Sequence, residues 1–389
     1  MANKVELDLI DQAFNRNDSE LGLKLLRQYV DENPSNIDLT YRLAVIEEQI
    51  GTKDNAKKAY DSCLELSPNN MGIYLYAGYF YQQIGELDKA LALYSLGQDI
   101  DNKLVQLYQY ENVPYETKLR SHKADITLRE HYTALHNESL KSKKNESVVH
   151  NAIWPQSHNK AFKYKHNLQK PHLFYLPDLR AEAIFNTKEQ SWCAVVEQSY
   201  ADIRSEFESL PSLILKTGSP YLSKEYQLEG FESLTGSMNW SALHFFENGV
   251  ENSELIELMP ETTNLLKKIP LYQLNENPYE VFFSLLKPGQ HIKPHYGLSN
   301  HSLTVHLPIV VPGNGYLRVG DVQQEWKEGE LIVFDDSFEH EAANNSDEIR
   351  IVLIFSIWHP DLSKQEQRDI QDSFNARSNW IDQRDKFLT

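Results

Sequence analysis

Cysteine is nearly absent: 389 residues carry two, Cys63 and Cys193. Far apart and each in an apolar, helix-like setting, they exclude a disulfide framework and read as buried free thiols suited to a reducing cytoplasm. Positive charge is also short, 38 Lys and Arg against 56 Asp and Glu for a net charge of −18. Nucleic-acid partners are thereby disfavoured, because their affinity comes from cations that neutralise phosphates. No run approaches the ~18 apolar residues of a membrane span. The start, Met1-Ala2-Asn3-Lys4, lacks the apolar core of a secretion signal. The expectation is a soluble, cytoplasmic protein. Its 41% hydrophobic and 24% charged residues are ordinary for a globular chain long enough for two domains.

The first part repeats itself. Ile50-Gly51 returns as Ile84-Gly85, Ala56 as Ala90, Tyr60 as Tyr94 and Pro34 as Pro68, each 34 residues on. That period, with small residues where paired helices touch and proline after the second helix, is that of a tetratricopeptide repeat. Two full repeats are placed at 37–70 and 71–104 with a degenerate one before them, so that residues 1–104 form a helical repeat domain. So short a stack needs something packed on its end. Its role is either that of a spacer or that of a protein-binding surface.

Residues 105–170 read as a helical extension and a basic linker. Between Lys141 and Lys170 stand seven lysines and one acidic residue, Glu146, with His150, His158 and His166 interspersed. Two readings stand: a solvated connector or a strap lying on an acidic neighbouring surface, or a docking site for an anionic partner.

Residues 171–389 form the second domain. Trp192, Val195, Val196, Tyr200, Ile203 and Phe207 recur at helical spacing and predict a helix over 191–210. A second helical pattern over 254–269 is interrupted by Pro260. Strand-like runs follow at 281–286, 303–310, 316–319, 331–334 and 349–357, separated by turns such as Lys287-Pro288-Gly289 and Pro312-Gly313-Asn314-Gly315. Many short strands with little helix between them predict a jelly roll, a double-stranded β-helix. The expected architecture is therefore multidomain, helical repeats followed by a cupin-like β-domain with flanking helices.

Within that β-domain, His295 and His340 are the best candidates for an iron(II) site, since imidazole suits iron and a facial ligand set leaves positions open for co-substrate and dioxygen. Arg350, ten residues after His340, has the planar fork that pairs with a carboxylate. The carboxylate that usually stands two residues after the first histidine is missing, because that residue is Gly297. Asp335 and Asp336 are read as bonding to backbone or orienting the site, and His359 as structural.

The order of blocks explains the glycine. Ser284, Lys287-Pro288-Gly289, Pro294-His295-Tyr296-Gly297, His306-Leu307-Pro308, Leu317-Arg318-Val319-Gly320, Trp326-Lys327-Glu328-Gly329, Phe334-Asp335-Asp336-Ser337-Phe338-Glu339-His340-Glu341, Arg350-Ile351-Val352-Leu353 and Ile357-Trp358-His359-Pro360 resemble the aspartyl/asparaginyl β-hydroxylase family. The resemblance implies a two-histidine iron site with glycine in the carboxylate position, His295 and His340 being the ligands. It further implies that Ser284 and Arg350 hold the distal carboxylate of 2-oxoglutarate and that His306 lies near its metal-proximal one. The implied activity is that of a 2-oxoglutarate-dependent dioxygenase. Such an enzyme splits the co-substrate to succinate and carbon dioxide while hydroxylating the β-carbon of an aspartyl or asparaginyl residue, or a related small substrate.

One position departs from the pattern. Two residues before His306 the family commonly has an arginine that meets the co-substrate, and here Thr304 stands there. Lys293, His301 and Arg318 are the cations that could replace it. Hydroxylation of a peptide or protein recruited by the repeats is the leading expectation. The alternatives are a non-catalytic interaction protein using its repeats and a hydroxylase of a lipid-linked acyl chain.

Overall fold

The computed structural model describes residues 2–215, 218–225, 230–274 and 276–388. They divide into two compact units, one of the described residues up to 135 together with 376–388, the other of those between 136 and 375.

The helical unit is a stack of antiparallel pairs: α1 (Ala2–Asn15) with α2 (Ser19–Glu32), α3 (Ile37–Ile50) with α4 (Lys53–Leu66), and α5 (Met71–Gln83) with α6 (Leu87–Ile100). Capping fixes where they start. The side chains of Asp18, Asn36, Thr52 and Asn70 accept backbone N–H bonds two or three residues on, an arrangement worth about 1 kcal/mol each. Small residues fix how closely the helices approach, as at Gly78, where a Cβ would lie 2.6 Å from the Tyr94 ring. Helix α7 (Tyr115–Ser139) then covers the stack. Its Arg120, 3% exposed, reaches Glu48 and Glu116 and lies over the rings of Tyr76 and Tyr79. Residues from the chain's last turns complete the unit: Trp380 packs on Tyr132, and Arg384 bonds to Ser95 and Asp99.

The second unit is a two-sheet sandwich. Its strands are β1 (Ile184–Phe185), β2 (Ser219–Pro220), β3 (Trp240–Glu247), β4 (Val250–Glu251), β5 (Glu280–Leu286), β6 (His291–His295), β7 (Ser302–Val310), β8 (Gly315–Val319), β9 (Val322–Glu325), β10 (Ile332–Phe334), β11 (His340–Asn344) and β12 (Arg350–Trp358). The larger sheet runs β1-β10-β7-β12-β5-β3-β2 with β4 beside β3, the smaller β6-β11-β8-β9. Each described pairing of these strands is antiparallel.

Period-two alternation divides the residues of the larger sheet between its faces. Phe283, Leu303, Val305, Leu307, Leu353, Phe355 and Ile357 pack beneath α8 (Ser191–Gln198), α9 (Tyr200–Glu208), α11 (Ser253–Leu258) and α12 (Pro260–Leu266). The short α10 (Ser212–Leu215) precedes β2. The opposite face meets the smaller sheet over Trp240, Leu286, Leu317, Val319, Trp326, Phe334 and Ala342. Alternation sends Ser284, Thr304, His306 and Arg350 to this inner face.

The expected single helix over 191–210 is two helices, α8 and α9. Between them the Ser199 hydroxyl bonds back to the Val195 carbonyl, competing with helix continuation. Pro260 restarts its pattern as the first residue of α12. Strands β1 to β4, β6, β9 and β11 had no matching expectation. In β6 and β11 the histidines, lysine, proline and glutamate mask the apolar alternation by which strands are read.

Candidate functional site

A β-bulge joins the two candidate ligands. His340 pairs with His295, but two residues on, Ala342 pairs with Ile292, three residues back. The extra residue in β6 turns His295 to the side on which Ile292 and Ala342 meet the inner core. The two imidazoles lie 4.1 Å apart between ring centroids. Each donates its Nδ1–H to a carbonyl two residues earlier, His295 to Lys293 at 2.7 Å and His340 to Phe338 at 3.0 Å. Nε2 is thus the lone-pair nitrogen on both rings, the tautomer a metal requires. Burial pushes the pKa of both down, that of His295 to about 3 with help from His340. Neutral imidazoles result.

Gly297 leaves a space that the turn after β10 fills. A Cβ there would stand 2.4 Å from Asp336 Oδ1, and the Gly297 N–H donates to the Asp336 carbonyl at 2.7 Å. Thr304, two residues before His306, donates to Asp336 Oδ2 at 3.0 Å. Burial raises the Asp336 pKa to about 7. Asp335 takes a different part: fully buried, it accepts from Ser337 and from Gln169 at 2.8 Å, so it pins the turn preceding His340.

Deeper in the sandwich, Arg350 is 1% exposed and has no carboxylate partner among the described residues. Nη2 donates to Ser284 Oγ at 3.4 Å, while Nε and Nη1 are buried without a hydrogen bond. The guanidinium lies 4.7 Å from the Trp326 ring, and burial lowers its pKa to about 9. Ser284 in turn accepts from Trp240 Nε1 at 3.1 Å. His306 accepts from Trp326 Nε1 at 3.3 Å, and burial followed by the Arg350 charge drives its pKa well below the usual range. A buried cation with unmet donors is costly unless an anion arrives.

Strand parity keeps Arg318 off this inner face. Opposite Glu341 on the outer face of the smaller sheet, it donates to Glu341 at 2.7 Å and Glu339 at 3.0 Å. His301 is buried among Phe174, Tyr272 and Phe374, and the Lys293 side chain is exposed. None of the three stands in for the arginine absent at Thr304. His359 packs edge-on against Phe185 and caps the Asp361 N–H. Trp240 and the contact of Phe231 with His295 went unassigned in the sequence, where no spacing marks them. Within the described residues no group of three His, Cys, Asp or Glu side chains is disposed to hold a metal, which leaves the histidine pair.

Residues 197–360 match the family described as aspartyl/asparaginyl beta-hydroxylase, and residues 37–70 match a tetratricopeptide repeat. The human aspartyl/asparaginyl beta-hydroxylase is 26% identical over 352 residues, 90% of this chain and 42% of its own length. Aspartate beta-hydroxylase domain-containing protein 2 of Xenopus tropicalis is 30% identical over 213 residues, 54% of this chain and 55% of its own. An ornithine lipid ester-linked acyl 2-hydroxylase of Rhizobium tropici is 28% identical over 187 residues, 46% of this chain and 60% of its own. The chain thus spans less than two thirds of each of these β-hydroxylase relatives.

Proposed function

We propose that the chain is an iron(II)- and 2-oxoglutarate-dependent hydroxylase acting on an aspartyl or asparaginyl side chain of a peptide or protein. The observation that carries this reading is the buried, uncompensated Arg350 on the inner face that also receives the histidine pair. The donor set fits the groups it would hold. His295 and His340 offer two neutral imidazole nitrogens to iron(II), and Gly297 with Asp336 closes the place from which a third protein ligand would come. Arg350 and Ser284 hold the distal carboxylate of 2-oxoglutarate, and Trp326 supports both the guanidinium and His306. Bound iron supplies the activation of dioxygen that couples co-substrate decarboxylation to hydroxylation. The protein's share is orientation and exclusion of water: buried Trp240 and Trp326 cover Ser284 and His306, to which they donate, and the Nδ1 hydrogen bonds keep each imidazole in its ligating tautomer.

Thr304 removes one charged hydrogen bond to the co-substrate and uses its hydroxyl on Asp336 instead. The corresponding loss is about 1.5–3 kcal/mol of co-substrate binding. A second reading, hydroxylation of an acyl chain, has the Rhizobium relative as its support. No helix among the described residues is long and apolar enough to cross a membrane. The repeats offer a surface for recruiting a polypeptide, which favours the first reading. Succinate formation from 2-oxoglutarate under air with added iron(II), wild type against His340→Ala, is the test. Turnover by the wild type alone supports the reading; absence of both turnover and iron binding in the wild type overturns it.

A further inference from the structure

The lysine-rich run leads to the rim of the site, held there by backbone and amide groups and by Lys165, whose Nζ donates to the Leu179 carbonyl at 3.2 Å. Residues 168–174 are fixed by neutral contacts: Gln169 to Asp335, Lys170 N–H to the Ser337 carbonyl at 2.9 Å, Glu339 N–H to the Leu168 carbonyl at 2.8 Å, and Leu173 N–H to the Leu298 carbonyl at 2.8 Å. Asn300 clamps both backbone groups of Leu176. The run is thus laced to the turn before His340 and to the loop after His295. Lys141 and Lys143 do pair, with Asp372 and Glu146. Lys160, Lys163 and Lys170 form no ion pair among the described residues and are exposed.

The acidic groups nearby are already engaged. Glu339 accepts from Arg318 and Tyr296, Glu341 from Arg318 and His291, and Asp178 from Asn151. Lys170 stands 5.8 Å from the ring of Tyr296, the residue after His295, and His172 meets that ring edge-on. At the other end, Lys160 and Lys163 border a cavity of about 290 Å³ that Phe162, Tyr175 and Pro177 also line. Lys163 and Lys170 are seven positions apart, at most about 25 Å of chain. An extended segment of seven or eight residues spans that distance.

We propose that residues 160–172 are a docking track for an acidic polypeptide segment, seated on Lys160, Lys163 and Lys170 and leading its target residue to the histidine pair. The track rests on the hydroxylase reading for its purpose and on charge complementarity for its occupant. An acidic segment meets exposed cations that the protein's own carboxylates leave unpaired, in a chain whose net charge of −18 otherwise repels it. The apolar wall of the Lys160 cavity adds a place for one large side chain.

The test is binding to the full chain, which requires neither iron nor turnover. Fluorescein-labelled decapeptides, one rich in Asp and Glu about a central Asn and one with Gln in place of each acidic residue, are titrated by anisotropy. Wild type is compared with a Lys160→Glu, Lys163→Glu, Lys170→Glu variant whose thermal unfolding is checked to be unchanged. The expected result is binding of the acidic peptide alone, about tenfold or more weaker in the variant and weakened by added salt. Equal binding of both peptides, equal binding by the variant, or no binding to the wild type overturns the proposal. So does lysine-dependent pelleting with phosphatidylglycerol–phosphatidylcholine vesicles when the acidic peptide does not bind. Loss of iron-dependent succinate formation with peptide docking intact would sink the hydroxylase reading and leave the track standing.

Discussion

Replacing Arg350 with methionine should leave the ligand-free protein at least as stable as the wild type while abolishing its response to 2-oxoglutarate. The guanidinium is 1% exposed, and its pKa falls from 12.5 to about 9 through desolvation. At pH 7 a base depressed in the folded state costs stability, on the order of 5 kcal/mol for this shift and less once the protein relaxes around it. That cost fades only as pH rises through 9. Methionine fills similar length without the charge, so part of this energy returns. The co-substrate meanwhile loses two charge-assisted bonds at about 1.5–3 kcal/mol each, or roughly 10²–10⁴ in affinity. Thermal unfolding with manganese(II) in place of iron, with and without 2-oxoglutarate, reads both effects. Co-substrate at a hundred times its Kd should stabilise the wild type by about 2.7 kcal/mol, roughly 5–10 °C in a unit of this size. The variant should show no rise. If it kept the same rise, or if the ligand-free variant melted well below wild type, Arg350 would not be an unpaired cation awaiting a carboxylate.

Other substitutions probe the same frame. His295→Ala or His340→Ala should each abolish metal binding measured by titration, since one imidazole is left without its partner. Gly297→Asp should fail to restore a third ligand and should destabilise the protein by about 1–3 kcal/mol in denaturant unfolding, because the new side chain meets the Asp336 carboxylate; tighter iron binding would refute this. Thr304→Arg should lower the KM for 2-oxoglutarate about tenfold or more, measured by succinate formation, if the missing charge is what limits co-substrate binding. His301 is buried with both ring nitrogens unbonded and its pKa lowered to about 3, first by burial and then by His359. A depressed imidazole pKa stabilises above the unfolded value near 6.5 and loses that stability as pH falls toward 3, at about 1.4 kcal/mol per pH unit for one proton. His301→Phe should flatten that slope in denaturant titrations from pH 6.5 to 4; an unchanged slope would assign the acid lability to other groups.

The helical repeats were legible because a 34-residue period states both helix pairing and packing: the second helices of successive pairs begin at Ser19, Lys53 and Leu87. The apolar strands β5, β7 and β12 announced themselves by composition. The strands that carry the histidines did not, because β6 and β11 spend their positions on polar groups, and the bulge that brings His295 to His340 is a matter of register between distant segments. The candidate residues were nameable from blocks of sequence. What lies around them was not: nothing in one chain's spacing reveals that Asp336 fills the volume beside Gly297, that Arg318 faces outward, or that Arg350 has no carboxylate.

The last residues of the chain have a consequence for synthesis. Trp380 and Arg384 complete the helical unit against Tyr132 and Ser95, residues made some 240–290 positions earlier. At about 5–20 residues per second, the repeats emerge tens of seconds before that closure can form. During the interval the final surface of the stack, with its tyrosines, is open to whatever binds helical repeats. A chaperone or partner that engages there acts on the nascent chain and must leave before the C-terminal turns can dock.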